Sequence, residues 1–354
     1  MPRTDRRTHE ALVRRRRRLL GVGAILAAAV AVVLLSSGGG SGSRPGGTPA
    51  AGGSQRGAPR PLRLQAETSP DQLPAPLSGE AAVSQGGRVL IIGGVDSDDV
   101  STSSVLGFDP SSGRTAPAGS LSQPLHDAAA AALPAGTLVF GGGSAATIDE
   151  VERLRPGATG AVVGHLPNSS SDLSAIRAGA DAIVLGGYDG AQPLDTVLRT
   201  ADGSSFTTLA PLPVAVRYPS VATDGSKVYV LGGELASGLD SSQIQAVDLV
   251  KGTASVVGRL PGPLSHASAV VLRGRTYILG GRLAGHTTDQ ILRFDPASAR
   301  AKLVGHLPAP IQNAAAATEE GIGYLFGGLD PQGSTLSSIV TVKLMPQSGG
   351  TAAK

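Results

Sequence analysis

Short apolar runs that stop abruptly at paired glycines recur along the chain. The runs IIGG, VFGG, VLGG, VLGG, ILGG and LFGG end on pairs that begin at Gly93, Gly141, Gly186, Gly232, Gly280 and Gly327, at steps of 48, 45, 46, 48 and 47 residues. An internal period of this length marks a repeat architecture and outranks every other signal in the chain. Within each run successive residues are apolar, as in Tyr229-Val230-Leu231, Tyr277-Ile278-Leu279 and Tyr324-Leu325-Phe326. A strand that is apolar without alternation is covered on both faces. Twenty residues before each pair stands a leucine: Leu73, Leu121, Leu166, Leu212, Leu260 or Leu307. Proline follows it in all but one copy, where Ser122 takes the place.

One copy divides into four strands. In the fifth, PLSHASAVVLRGRTYILGG holds the first two around a turn at Gly274, QILRFDP is the third and ARAKLVGHLP the fourth. A glycine stands between the first two strands of every copy (Gly87, Gly136, Gly179, Gly225, Gly274 and Gly321), as tight hairpins require. Sequential antiparallel strands at this spacing form one blade of a radial array. Ala128 to Ala132 and Ala314 to Ala317 favour helix by propensity, but their register places them in the first strand of a blade, where strands crowd the axis and small side chains fit. The sixth copy has no fourth strand of its own. The segment RPLRLQAE (60–67), beside Ile339 to Leu344, supplies it and closes a ring of six blades, which removes an open sheet edge. The fold class expected is all-β, a six-bladed β-propeller over residues 61–345, with a disordered tail over 346–354.

The N-terminus changes the picture of location. Arg14 to Arg18 precede the uncharged apolar run Leu19 to Leu35, 17 residues long. As helix it reaches about 25 Å, the short end of a membrane span. The basic flank (1–18) orients the N-terminus to the cytoplasm and the rest of the chain outside. A cleaved signal peptide shares these features, and would make the protein secreted. Residues 36–60, rich in Gly, Ser, Pro and Ala, form a flexible linker. The chain has no cysteine, which excludes disulfides, thiolate nucleophiles, Cys-ligated zinc and a lipoprotein anchor. Its formal charge of +3 is misleading, because residues 1–60 hold 11 of the 30 Lys and Arg and 2 of the 27 Asp and Glu. The remainder carries 19 bases against 25 acids, a net of −6 that argues against a nucleic-acid partner.

The paired glycines, the Phe-Asp-Pro elements (Phe108-Asp109-Pro110 and Phe294-Asp295-Pro296) and the Leu-Pro before each following blade resemble the kelch repeat family over about residues 62–344. The resemblance implies a β-propeller. It departs from the family in having no tryptophan; Val163, Val257 and Val304 lie in the corresponding fourth strands. Kelch propellers are mostly binding scaffolds, with copper-radical galactose oxidases and sialic acid epimerases as enzymatic minorities. The copper-radical cofactor needs a cysteine bonded to a tyrosine, so its chemistry is excluded here. Epimerase-type proton transfer needs only a few Arg, His, Asp or Glu side chains at the mouth.

The loop into the first strand and the loop after Gly-Gly open on one face. Fourteen residues before each pair stand Gly79, Asp127, Asp172, Tyr218, His266 and Asn313, one per copy and mostly polar, with Glu80 and Arg217 one residue away. Asp127 and His266 are three blades apart, hence opposite across the axis. These positions form either a recognition ring or a set of solvated loop polars and channel-water ligands. His165 and His306 share the phrase VGHLP and, three blades apart, reflect repeat ancestry; Asp96, Asp98 and Asp99 lack the full spacing of a calcium loop. Asp189-Gly190 and Asp224-Gly225 are turn chemistry. The expectation is a membrane-tethered, extracytoplasmic, monomeric propeller with no cofactor or metal, binding an envelope or extracellular protein or glycan without catalysis. The alternative is a carbohydrate-active enzyme of the epimerase type, using Arg217, His266, Asp127 and Glu80. Three per cent aromatic residues and no tryptophan leave few stacking platforms for sugars.

Overall fold

The structure, a computed structural model, describes residues 62–347. The basic tail, the apolar run 19–35 and the linker 36–60 lie outside the described residues, as does most of the C-terminal tail. No helix occurs among the described residues, and none is long and apolar enough to cross a membrane.

Each copy builds a four-stranded antiparallel sheet in chain order. The first sheet is Ala81–Gln85, Arg88–Ile92, Ser104–Asp109 and Arg114–Ser120, and the second is Ala129–Leu133, Gly136–Phe140, Glu150–Leu154 and Ala161–His165. The third, Ser174–Ala178, Asp181–Leu185, Val197–Thr200 and Thr207–Thr208, has an outermost strand of only two residues. Ser220–Thr223, Lys227–Leu231, Gln243–Asp248 and Thr253–Arg259 make the fourth; Ser268–Leu272, Arg275–Leu279, Gln290–Asp295 and Arg300–His306 make the fifth. The sixth joins the two ends of the array: Ala315–Glu319, Ile322–Phe326 and Leu336–Pro346 are completed by Leu62–Leu77. Lys343 pairs with Glu67 across that seam at 3.6 Å. An additional small sheet of two-residue strands, Leu264–Ser265, Arg282–Leu283 and His286–Thr287, was not foreseen from the repeat.

Both alanine runs are strands, Ala129–Leu133 and Ala315–Glu319. Tertiary packing overrides helix propensity because the innermost strands neighbour one another in a circle, and larger side chains would not fit there. Between each sheet and the next lies one apolar cluster, six in all among the described residues. The second strands feed these clusters from both faces, which explains their unbroken apolar runs: Tyr229 to Leu231 and Tyr324 to Phe326 are all buried. Without tryptophan, the aromatic contacts across the junctions come from Phe and Tyr, as in Phe108 edge-on to Tyr324 and Phe326 and Tyr229 edge-on to Phe294. Full burial of each such side chain contributes about 2 kcal/mol. This arrangement of sheets is consistent with a β-propeller.

The Gly-Gly signature has a steric cause. At Gly232, φ is +70° and a Cβ would lie 2.0 Å from the Leu264 carbonyl of the next repeat, so only glycine lets the sheets approach.

Candidate functional site at the axial mouth

The six residues at the varying register position meet in a closed ring of backbone hydrogen bonds. The amide of Asp127 donates to the carbonyl of Gly79 (2.7 Å), Asp172 to Asp127 (2.9 Å), Tyr218 to Asp172 (2.8 Å), His266 to Tyr218 (3.1 Å), Asn313 to His266 (3.0 Å) and Gly79 to Asn313 (3.1 Å). All six have positive φ, between 51° and 66°. That conformation is costly for non-glycine residues, of order 1 kcal/mol each, and persists here because the ring bonds over-determine it. The repeat thus brings together five polar side chains that are far apart in sequence. At Gly79 a Cβ would lie 2.6 Å from Oδ1 of Asp127; the glycine makes room for that carboxyl, which meets the Asn313 amide over it.

Behind the ring runs a channel of about 220 Å³, walled chiefly by alanine and serine of the inner strands. The serines are not open to it as free donors: Ser174, Ser220 and Ser268 each bond a carbonyl of the neighbouring repeat, Pro219, Ala267 and Ala314 respectively.

The ring side chains bond to one another. The Tyr218 hydroxyl donates to Oδ2 of Asp127 at 2.8 Å, and the imidazole of His266 stacks on the Tyr218 ring at 4.0 Å. Burial pushes the Asp127 carboxyl up to about 6, against the opposing pull of the Tyr218 hydroxyl, the Arg217 charge and the Asn313 amide. Asp172 is pushed up to about 7 by burial and by the charge of Asp127, while Arg217 opposes. His266 is held well below its ordinary value by burial and by the charges of Arg282 and Arg217.

A wider network surrounds the third to fifth repeats. Arg217 bonds Glu234 through Nε (2.8 Å) and Nη2 and reaches Asp172 at 3.3 Å, with the Tyr188 ring 4.7 Å beneath its guanidinium. Arg282 joins Glu234 (2.6 Å) to Asp240 (2.6 Å). Ser265 donates its one hydroxyl proton to Asp240 at 2.6 Å while its oxygen lies 2.6 Å from Nδ1 of His266. The proton between Ser265 and His266 therefore belongs to Nδ1, and Nε2 of the neutral ring is a hydrogen-bond acceptor. The Tyr218 hydroxyl, Nε and Nη2 of both arginines and Nη1 of Arg217 are held by carboxylates, and lone pairs remain on His266 and Tyr218.

Glu80 stands apart. It lines the channel wall but its side chain is 7% exposed and lies against Gly327 rather than in the cluster. Neither carboxyl oxygen makes a hydrogen bond of normal geometry, although the amides of Glu80 and Ala315 are near enough to favour the charged form. Burial dominates and pushes it up to about 8, so it is a neutral acid at pH 7.

No family model matches the chain. Mouse (Mus musculus) Kelch-like protein 35 is 32% identical over 103 residues, 28% of this chain and 18% of that protein, so the chain spans less than a fifth of its length. The solved structure of YjhT superposes with a TM-score of 0.67 at 13% identity, covering 77% of this chain and 99% of YjhT. Together they support a kelch-type β-propeller. At 13% identity the second likeness concerns the fold alone.

Glu234, Arg282, Asp240, Tyr188 and Ser265 escaped the sequence reading. A signal existed: the residue after each Gly-Gly, namely Val95, Gly143, Tyr188, Glu234, Arg282 or Leu329, faces the residue before the ring position across a short antiparallel bridge or strand pair, as Glu234 faces Arg217 and Arg282 faces Ser265. The remaining motifs lie elsewhere. His165 bonds Asp149 (3.3 Å) and His306 bonds Asp289 (3.0 Å), each on an exposed fourth strand. Asp96 accepts the amides of Asp98 and Val100, which is turn chemistry. Asp189 and Asp224 do the same, capping the amides of Gln192 and Lys227.

Proposed function

We propose that this chain is a six-bladed kelch-like propeller, held outside the cytoplasmic membrane by residues 19–35, that binds an envelope glycan or protein at its axial mouth without altering it. The observation that carries this reading is the state of the polar side chains. Arg217, Arg282 and Tyr218 are fixed by bonds to Glu234, Asp172, Asp240 and Asp127, so the mouth is a preformed surface rather than a set of loose groups. Nε2 of His266 and the Tyr218 oxygen can accept further hydrogen bonds, which suits ligands with O–H or N–H donors, such as sugar hydroxyls or peptide amides. The apolar run and its basic flank support the tether, and the net negative charge of residues 61–354 argues against a nucleic-acid partner.

The test is a thermal-shift screen of the full chain against envelope sugars and peptidoglycan fragments, with Asp127→Ala and His266→Ala beside it. A stabilising fragment whose effect vanishes in both variants supports the mouth as the site. Absence of any hit, with pull-downs that recover a partner equally well with both variants, moves binding to another surface. Location is tested separately, by protease accessibility of the propeller in intact cells.

A second reading is favoured by one observation. Unprotonated Nε2 of His266 and two carboxyls raised to about 6 and about 7 lie in one cluster, a combination suited to moving protons on a sugar. Turnover of any sugar anomer or epimer in the screen, abolished by His266→Gln, would replace the binding reading with the enzymatic one.

A further inference from the structure

The junction between the second and third sheets lacks a side chain that every other junction has. Sixteen residues before each glycine pair stand Leu77, Leu125, Ser170, Val216, Leu264 and Ile311. All six are buried. In five junctions this aliphatic residue shares an apolar cluster with the leucine four positions earlier: Leu73 with Leu77, Leu121 with Leu125, Leu212 with Val216, Leu260 with Leu264 and Leu307 with Ile311. In the remaining one Leu166 has no such companion, because serine holds the place.

The missing volume stays open. A cavity of about 180 Å³ lies here, with Leu166, Leu173, Val184 and Leu198 among its walls and Ser170 at its buried side. Ser170 is 4% exposed, and its hydroxyl, set beside Gly187, has no hydrogen-bond partner. At its outer side the cavity reaches Asn168 and Thr208, both exposed. It opens there because the outermost strand of this sheet is the two-residue Thr207–Thr208, whereas the same strand in the first, fourth and fifth sheets has seven residues. A buried hydroxyl left unpaired costs free energy, and an apolar void forfeits packing contacts; both losses at one site are offset when a ligand fills the gap and pairs the hydroxyl. Apolar cavities of ~150 Å³ take up benzene-sized molecules.

We infer that this gap is a binding pocket for a small aromatic alcohol of the phenol type, its ring between Leu166, Leu173, Val184 and Leu198 and its oxygen on the Ser170 hydroxyl. The pocket is independent of the axial mouth. It lies on the outward course of the third sheet and shares only Leu173 with the channel wall.

The experiment titrates phenol, with toluene as the apolar probe, into the full chain and into Ser170→Leu and Ser170→Ala, following the melting temperature and the binding isotherm. Phenol should raise the melting temperature of the parent saturably, and toluene should bind more weakly. Ser170→Leu, which restores the aliphatic residue of the other repeats, should melt higher than the parent without ligand and lose the phenol response. Ser170→Ala keeps the space but not the hydroxyl, and should weaken phenol about tenfold while sparing toluene. Should Ser170→Leu not fold, Ser170→Val, carrying the residue type found at Val216, takes its place. The inference fails if neither probe binds saturably, if the filled variants respond to phenol as the parent does, or if neither filled variant folds.

Discussion

The two halves of the axial mouth share one backbone and differ in chemistry. Around the ring each repeat contributes the same left-handed residue, the same amide-to-carbonyl bond and the same short bridge behind it. In the third to fifth repeats those bridges carry Tyr188, Arg217, Glu234 and Arg282, whose charges interlock through Asp172 and Asp240. In the sixth, first and second they carry Gln312 and Leu329, Ser78 and Val95, and His126 and Gly143, with no arginine or carboxylate. Repetition therefore fixes where side chains are presented, and variation at fixed positions decides what they can do. The proposed binding surface is the half where the bridges are charged.

The largest way to break this contrast is to unpair the charged half. Arg217→Ala takes from Asp172 its arginine and leaves Glu234 with Arg282 alone, both carboxylates having 6% exposed side chains, and should cost about 3–5 kcal/mol in chemical denaturation. The matching change in the other half, Gln312→Ala, should stay within about 0.5 kcal/mol. Equal losses would mean that the network is no more than loop polarity.

Glu80 sharpens the comparison from the other side, as a buried carboxyl of the half whose bridges carry no arginine or carboxylate. Its folded pKa is raised from 4.5 to about 8, so the folded state keeps a proton that the unfolded chain releases. This group's contribution is fully present below pH 4.5 and is lost as the pH climbs to about 8, a change of roughly 5 kcal/mol. Glu80→Gln, which mimics the neutral acid, should match the parent near pH 4.5 and exceed it increasingly toward pH 8. Parallel stability curves for the two proteins would show that Glu80 is not held neutral.

Smaller effects test the ring itself. Gly79→Ala puts a methyl group at positive φ and within 2.6 Å of the Asp127 carboxyl, and should cost about 2 kcal/mol. Tyr218→Phe removes the bond to Asp127, with a loss of about 1 kcal/mol, and should raise the Asp127 carboxyl above its value of about 6 in a carboxyl-resolved NMR titration.

Much of the fold was legible because it rests on features that local chemistry demands. The Gly-Gly pairs mark carbonyl contacts that admit no Cβ, the unbroken apolar runs mark strands with a cluster on each face, and the orphan segment at 60–67 marks, from Leu62 onward, the strand that pairs with Leu336–Pro346. The ring positions were legible for the same reason, since one offset from the glycines locates all six. Glu234 and Arg282 stand at an equally fixed place, directly after Gly-Gly, where each faces the residue before the ring position. What no offset could supply was Asp240, which reaches Ser265 and Arg282 from further along a loop whose length varies between repeats. Nor could it show that Glu80, one residue beyond the ring, turns its carboxyl toward Gly327 and away from its neighbours.

The most direct test of the central claim is an amide NMR titration of the full chain with a soluble disaccharide-peptide fragment of peptidoglycan, read residue by residue. Binding at the charged half should give saturable shifts confined to Asp172, Tyr188, Arg217, Tyr218, Glu234, His266 and Arg282, with the Val95, Gly143 and Leu329 bridges unmoved. Saturable shifts centred on those three bridges, or away from the mouth altogether, would contradict it.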